Sequence, residues 1–103
     1  MKFNYTDGWI LADYGKAITS AVDYTLTEEE KVPFLSCVFS AASKALTLGL
    51  EAGEAMIVSN IGGSNAVTVK AITGDTGTSV AAGKVALCIG VAGANNSKIY
   101  VLN

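Results

Sequence analysis

From residue 34 onward the chain alternates apolar and other positions with a period of two. Leu35, Cys37 and Phe39 alternate with Ser36 and Val38, and Leu46, Leu48 and Leu50 alternate with Thr47 and Gly49. Val67, Val69 and Ala71 alternate with Thr68 and Lys70. Val85, Leu87, Ile89 and Val91 form a further run, and Ile99 and Val101 flank Tyr100. The run Ala55-Met56-Ile57-Val58 is apolar on both sides, as a central strand is. Successive side chains of a strand point to opposite faces, so this spacing predicts strands with one face turned inward. Each run ends in turn chemistry: Glu51-Ala52-Gly53-Glu54, Gly62-Gly63-Ser64-Asn65, Gly74-Asp75-Thr76-Gly77, Ala81-Ala82-Gly83-Lys84 and Gly93-Ala94-Asn95-Asn96. No strand–helix–strand pattern is visible, so a parallel sheet is not expected. The pattern predicts an all-β domain, a small antiparallel β-sandwich or barrel.

The first 24 residues do not share this rhythm. They hold Phe3, Tyr5, Trp9, Tyr14 and Tyr24, five of the eight aromatics. Trp9-Ile10-Leu11-Ala12, between Gly8 and Gly15, fits either a short strand or one turn of helix. We read residues 1–24 as an irregular N-terminal arm and residues 25–103 as a single β domain. Aromatic anchors dominate protein interfaces, so Phe3, Tyr5, Trp9, Ile10 and Tyr14 are the candidate partner contacts. The alternative is that this segment folds back over its own core. After it, Thr27 and Glu30 have the spacing of a capping box, which predicts one short helical turn that Pro33 ends.

Composition narrows the function. The chain has 103 residues, enough for one domain with a real core. Half of them are apolar and only 16% are charged, so a partner is expected to cover part of the apolar surface. The net charge is −2, the cations are seven dispersed lysines, and arginine is absent, which argues against nucleic-acid binding. Neither a signal peptide nor a membrane-length apolar run is visible, so we expect a protein made in the cytoplasm, with no membrane partner.

Catalytic chemistry is sparse. Histidine, the commonest general base and metal ligand, is missing. Glu28-Glu29-Glu30 is the densest titratable group, but consecutive residues of one turn point in different directions. The glycine-rich turns lack a Gly-Lys-Ser or Gly-Lys-Thr sequence and a following helix, so they are not phosphate loops. Asp75 alone falls short of a calcium site and reads as an Asx-type turn. Cys37 and Cys88, each within an apolar run, read as buried thiols, with a disulfide between paired strands as the alternative. We therefore expect no enzyme, no cofactor and no metal.

In order, the residues Tyr24-Thr25-Leu26-Thr27-Glu28, Lys44-Ala45-Leu46-Thr47-Leu48-Gly49-Leu50, Met56-Ile57-Val58-Ser59-Asn60, Asn65-Ala66-Val67-Thr68-Val69-Lys70 and Gly74-Asp75-Thr76-Gly77 through Gly83-Lys84-Val85 resemble a β-rich module of tailed-bacteriophage virion proteins. Such modules occur in head decoration or head-fibre proteins and in tail-associated proteins. The resemblance runs over about residues 24–91. It departs from the module at Glu51, where a proline is usual, and at Ala94-Asn95-Asn96-Ser97, where an Asp-Gly hairpin is usual. It implies a structural virion component with no active site to carry over, and a short chain suits a capsid decoration protein that binds and stabilises the assembled shell. The expected partner is the major capsid protein or another virion protein. Self-association is also expected, a trimer or other closed ring being one way to hide sheet edges. The alternative is a tail-associated receptor- or glycan-binding module that uses Trp9, Tyr100 and the Asn95-Asn96 loop.

Overall fold

A computed structural model describes residues 15–102. Nine strands follow one another: β1 (Gly15–Ser20), β2 (Tyr24–Thr25), β3 (Phe34–Phe39), β4 (Lys44–Thr47), β5 (Ala55–Ser59), β6 (Val67–Lys70), β7 (Thr78–Val80), β8 (Val85–Ile89) and β9 (Lys98–Leu102). A single 3-10 turn, Glu28–Glu30, lies between β2 and β3. The strands build a five-stranded sheet in the order β1-β3-β5-β8-β9 and a four-stranded sheet in the order β2-β4-β6-β7. The molecule is thus strand-rich, with two mixed sheets.

The pairing corrects the antiparallel expectation. β1, β3 and β5 run parallel to one another, as do β2, β4 and β6. Only β5–β8, β8–β9 and β6–β7 are antiparallel among the described residues. The chain crosses from one sheet to the other after each of the first five strands, so a strand pairs with the one two places along. A parallel pair needs a crossover of a dozen or more residues. Here that crossover is a strand of the opposite sheet instead of a helix. Glu51-Ala52-Gly53-Glu54, which looks like a hairpin turn, is therefore a corner between sheets: it leads from the β4 side to β5 and is held by the Gly53 N–H donating to Gly90 O (2.9 Å).

The arm expected at residues 1–24 is divided. Phe3, Tyr5, Trp9, Ile10 and Tyr14 lie outside the described residues, as does the Trp9–Ala12 stretch. Residues 15–20 form β1, which pairs with β3 over its whole length and places Ile18 in the core. The sheet therefore starts before the boundary drawn at residue 24. β1, β2 and β7 carry weak apolar alternation of their own and were not predicted; pairing with stronger strands makes them.

Both sheets point their inward residues into one core. The five-stranded sheet supplies Leu35, Cys37, Phe39, Met56, Val58, Ala86 and Cys88, all buried. The four-stranded sheet and its extensions supply Leu46, Leu48, Leu50, Val67, Val69, Ala71 and Val80. β5 is central in its sheet, as its apolar run predicts. Leu48 and Leu50 continue the β4 rhythm beyond the strand, their N–H groups donating to Lys70 O and Ala71 O (both 2.8 Å).

One polar residue is sealed in this interior. Asn60 is fully buried at the end of β5. Its Nδ2 donates to Asn65 O (2.9 Å) and Val80 O (3.1 Å). Its backbone N–H donates to Lys84 O, and its carbonyl accepts from Gly83 N–H (both 2.9 Å). Asn65 extends the network, its Nδ2 donating to Phe39 O (2.8 Å). The crossover loops of both sheets thus converge on one side chain. Asn60 Oδ1 lacks a partner and lies against Gly63, where an added Cβ would sit 2.1 Å away. Truncation would remove the donor to one buried and one part-buried carbonyl, and each unsatisfied buried group costs about 1–3 kcal/mol. Asn60→Ala is expected to lower the unfolding free energy by about 2–4 kcal/mol in urea titrations. Gly63→Ala is expected to be destabilising as well, because its methyl meets the same amide.

Candidate docking surface

Several acidic groups of the described residues are engaged at separate places. Glu30 closes the turn that the capping-box spacing predicts: its carboxylate accepts from Thr27 N–H (2.9 Å), Thr27 Oγ1 (3.1 Å) and Tyr24 OH (2.5 Å). The Thr27 N–H, and after it the Tyr24 hydroxyl, hold the Glu30 carboxyl below the usual carboxylate range. The same carboxylate raises Tyr24. Glu28 pairs with Lys31 at 2.6 Å. Glu28 and Glu30 therefore hold different partners.

Asp75 departs from the expected Asx turn. Its Oδ2 accepts from Ile72 N–H (3.2 Å), and its Oδ1 accepts from Asn95 N–H (2.7 Å). Asn95 Oδ1 in turn accepts from Thr76 N–H (2.7 Å). This reciprocal clasp ties the β6–β7 loop to the β8–β9 loop across 20 residues of sequence, a separation that local pattern does not reveal. Asn96 is also engaged, its Nδ2 donating to Ala92 O (2.9 Å). Of the amides named for a glycan platform, Asn95 thus bonds to the β6–β7 loop and Asn96 to its own loop, while Tyr100 is half exposed.

Cys37 and Cys88 are free and buried. Loss of water raises both thiols, Cys37 to about 11 and Cys88 to about 12, the latter helped by the nearby Cys37. Among the described residues no three His, Cys, Asp or Glu side chains gather at a metal-binding spacing, and no helix is long and apolar enough to cross a membrane.

What distinguishes the surface is the contrast between the two outward sheet faces. The strand registers place Thr25, Ala45, Thr47, Thr68, Lys70 and Ser79 on the outside of the four-stranded sheet. That is the polar face expected of a sheet against water. The same registers place Phe34, Val38, Ile57, Val85, Leu87 and Ile89 on the outside of the five-stranded sheet. Tyr100 and Leu102 of β9 continue this face, and its one charged position is Lys98 at the edge. A shallow depression lies over β1, β3 and β5, lined by Gly15, Ala17, Phe34, Ser36 and Ile57 among others. Gly15, the first described residue, begins β1 beside this depression. Part of the apolar excess in the composition therefore has a location: half-buried apolar side chains on the outside of the five-stranded sheet, interspersed with Thr19, Ser36 and Ser59.

No family model matches the chain, and no curated protein or solved structure matches it.

Two outcomes follow from the local chemistry. Because the Glu30 pKa is depressed in the folded state, its stabilisation is present above the unfolded value of about 4.3 and is lost as pH falls through the folded value. Glu30→Gln is expected to lower Tm by a few degrees at pH 7, with the difference from the parent protein shrinking as pH falls through the lowered folded value of Glu30. The thiols behave in the opposite sense. Raised folded values mean that their contribution is complete below the unfolded value of about 8.5 and is lost as pH rises towards 11–12. A thiol reagent at pH 8 is expected to leave both cysteines unmodified in native buffer and to modify both in denaturant.

Proposed function

We propose that this chain is a non-enzymatic structural protein of a tailed-bacteriophage particle, in its simplest form a capsid decoration protein that binds the outside of the assembled head. The observation that carries this reading is the apolar outward face of the five-stranded sheet, set against the polar outward face of the other sheet. A large apolar face marks an interaction surface. The order of strand and turn motifs from Tyr24 to Lys84 supports the particle assignment. The two mixed sheets around one core are, on this reading, a β-sandwich.

The partner is the major capsid protein or a neighbouring virion protein. A standard interface buries on the order of 1,600 Å² in total. The apolar sheet face supplies its centre, and Phe3, Tyr5, Trp9, Ile10 and Tyr14 add aromatic anchors from the segment that joins at Gly15. A protein that binds only the assembled shell stabilises it by mass action, by about 2.7 kcal/mol per site at a free concentration 100 times Kd.

Co-sedimentation with purified heads tests this. The full chain is expected to pellet with heads in a fixed ratio. Ile57→Asp or Leu87→Lys is expected to weaken binding at least tenfold, with the fold retained by circular dichroism. Deletion of residues 2–14 is expected to abolish binding. Retained binding after the deletion would remove the aromatic segment from the interface. Absence of the protein from purified particles would overturn the proposal.

A further inference from the structure

β7 is the outer strand of the four-stranded sheet, and β9 is the outer strand of the five-stranded one. A hollow of about 330 Å³ takes side chains from both, and Asp75, Thr76, Thr78, Asn95, Ser97 and Ile99 line it. Thr78 and Ile99 sit on the core side of their strands, opposite the buried Val69 and Cys88. The hollow is therefore a place where the interior meets solvent. An apolar side chain at position 78 would close it. A half-buried threonine stands there instead, and its hydroxyl has no hydrogen-bond partner among the described residues. The Thr76 hydroxyl and Asn95 Nδ2 are likewise without one.

These free groups are held in place. Asn95 has φ 61°, in the left-handed region that asparagine tolerates. Its N–H donates to Asp75 Oδ1, and its Oδ1 accepts from Thr76 N–H (both 2.7 Å). Only the oxygen end of the amide can accept that N–H, so the bond also fixes which end is Nδ2. Gly77, between the two threonines, has φ 87° and lies so close to β6 that an added Cβ would sit 2.8 Å from Val69 O. The loop is thus pinned against the sheet, and a ligand has little ordering cost to meet.

We propose that this hollow binds a neutral sugar ring. Its chemistry selects that class over others. Asp75 carries the one formal charge in the lining, so an anion is repelled and no lysine compensates. Both oxygens of that carboxylate already accept backbone N–H groups, from Ile72 and Asn95. A hard cation needs six or more oxygens and finds too few. An apolar ligand would strip water from the hydroxyls and the amide and return no hydrogen bond. What remains unspent is two hydroxyls, each donor and acceptor, and one amide donor, beside the aliphatic flank of Ile99. The hydroxyls of a sugar donate and accept in turn, and its ring C–H groups pack on an aliphatic chain. The volume is near the lower end of the roughly 300–1,000 Å³ of small-molecule pockets, which suits one ring. Tyr100 faces the other side of β9 from Ile99, so the site differs from an aromatic platform.

A ring of about a dozen heavy atoms at ordinary ligand efficiency binds with a Kd on the order of 1 mM. The site stands apart from head binding, which uses the outward face of the five-stranded sheet, and either can fail alone. Many copies on one particle would add such weak contacts together. That gain rests on the particle reading, whereas the binding itself does not.

Two-dimensional NMR of the isotope-labelled full-length chain tests the site. The probes are methyl glucoside, methyl galactoside, methyl mannoside and N-acetylglucosamine, each raised to about 100 mM, well above the expected Kd. At least one is expected to shift the amide signals of Thr76, Thr78, Asn95 and Ser97 in a saturable way, while glucuronate leaves them in place. Thr78→Val keeps the shape and removes the hydroxyl; it is expected to weaken binding roughly fivefold or more with the rest of the spectrum unchanged. Thr78→Ser is expected to bind within about twofold of the parent protein, since the hydroxyl remains. Asn95→Asp keeps the acceptor for Thr76 N–H and removes the donor, and is expected to weaken binding to a similar degree as Thr78→Val. Silence towards all four sugars would overturn the proposal. So would shifts confined to residues outside the hollow, parental affinity in Thr78→Val, or glucuronate, phosphate or calcium binding there as tightly as the neutral sugars.

Discussion

Two sheets share a single dry interior, and each strand turns one face into it. With strands this short, neither sheet alone excludes water from its apolar side chains, so each depends on the other for burial. The chain meets this demand by crossing between the sheets strand by strand, which delivers Leu35, Leu46, Val58 and Val69 to the same core from opposite sides. The crossings force parallel pairing inside each sheet and bring the ends of β3, β5 and β7 together around Asn60. In that water-poor setting a hydrogen-bonded amide is strongly held, and an unpaired one is correspondingly expensive. Asn60 is therefore as much a part of the core as the leucines around it.

The same arrangement accounts for the unequal outer faces. The four-stranded sheet ends in threonine, serine and lysine, which water solvates well. The five-stranded sheet extends past its partner to β9, where even the side chains on the core side, Ile99 and Val101, keep contact with solvent.

Polar chemistry in the described part of the molecule is directed to holding loops. Glu30 closes a turn, Asp75 and Asn95 clasp two loops together, and the thiols of Cys37 and Cys88 are held protonated in the core. Asp75 and Asn95, besides clasping the loops, line one polar hollow together with Thr76, Thr78 and Ser97.

The alternation of apolar residues was sufficient to locate β3, β4, β5, β6, β8 and β9, to put Leu35, Phe39, Val58 and Val69 inside, and to mark the turn closed by Thr27 and Glu30. The composition, half apolar and 16% charged, pointed to an apolar surplus. These properties are local: side-chain direction in a strand and capping in a turn depend on residues a few positions apart. Which strand lies beside which is a different matter, because a period of two is the same in parallel and antiparallel ladders. The weak strands β1 and β2, the clasp between Asp75 and Asn95, and the siting of the surplus on the outside of one sheet all depend on partners roughly 20 residues away. Only the folded arrangement decides them, since the energy that fixes each comes from contacts the chain makes after it has crossed to the other sheet and back.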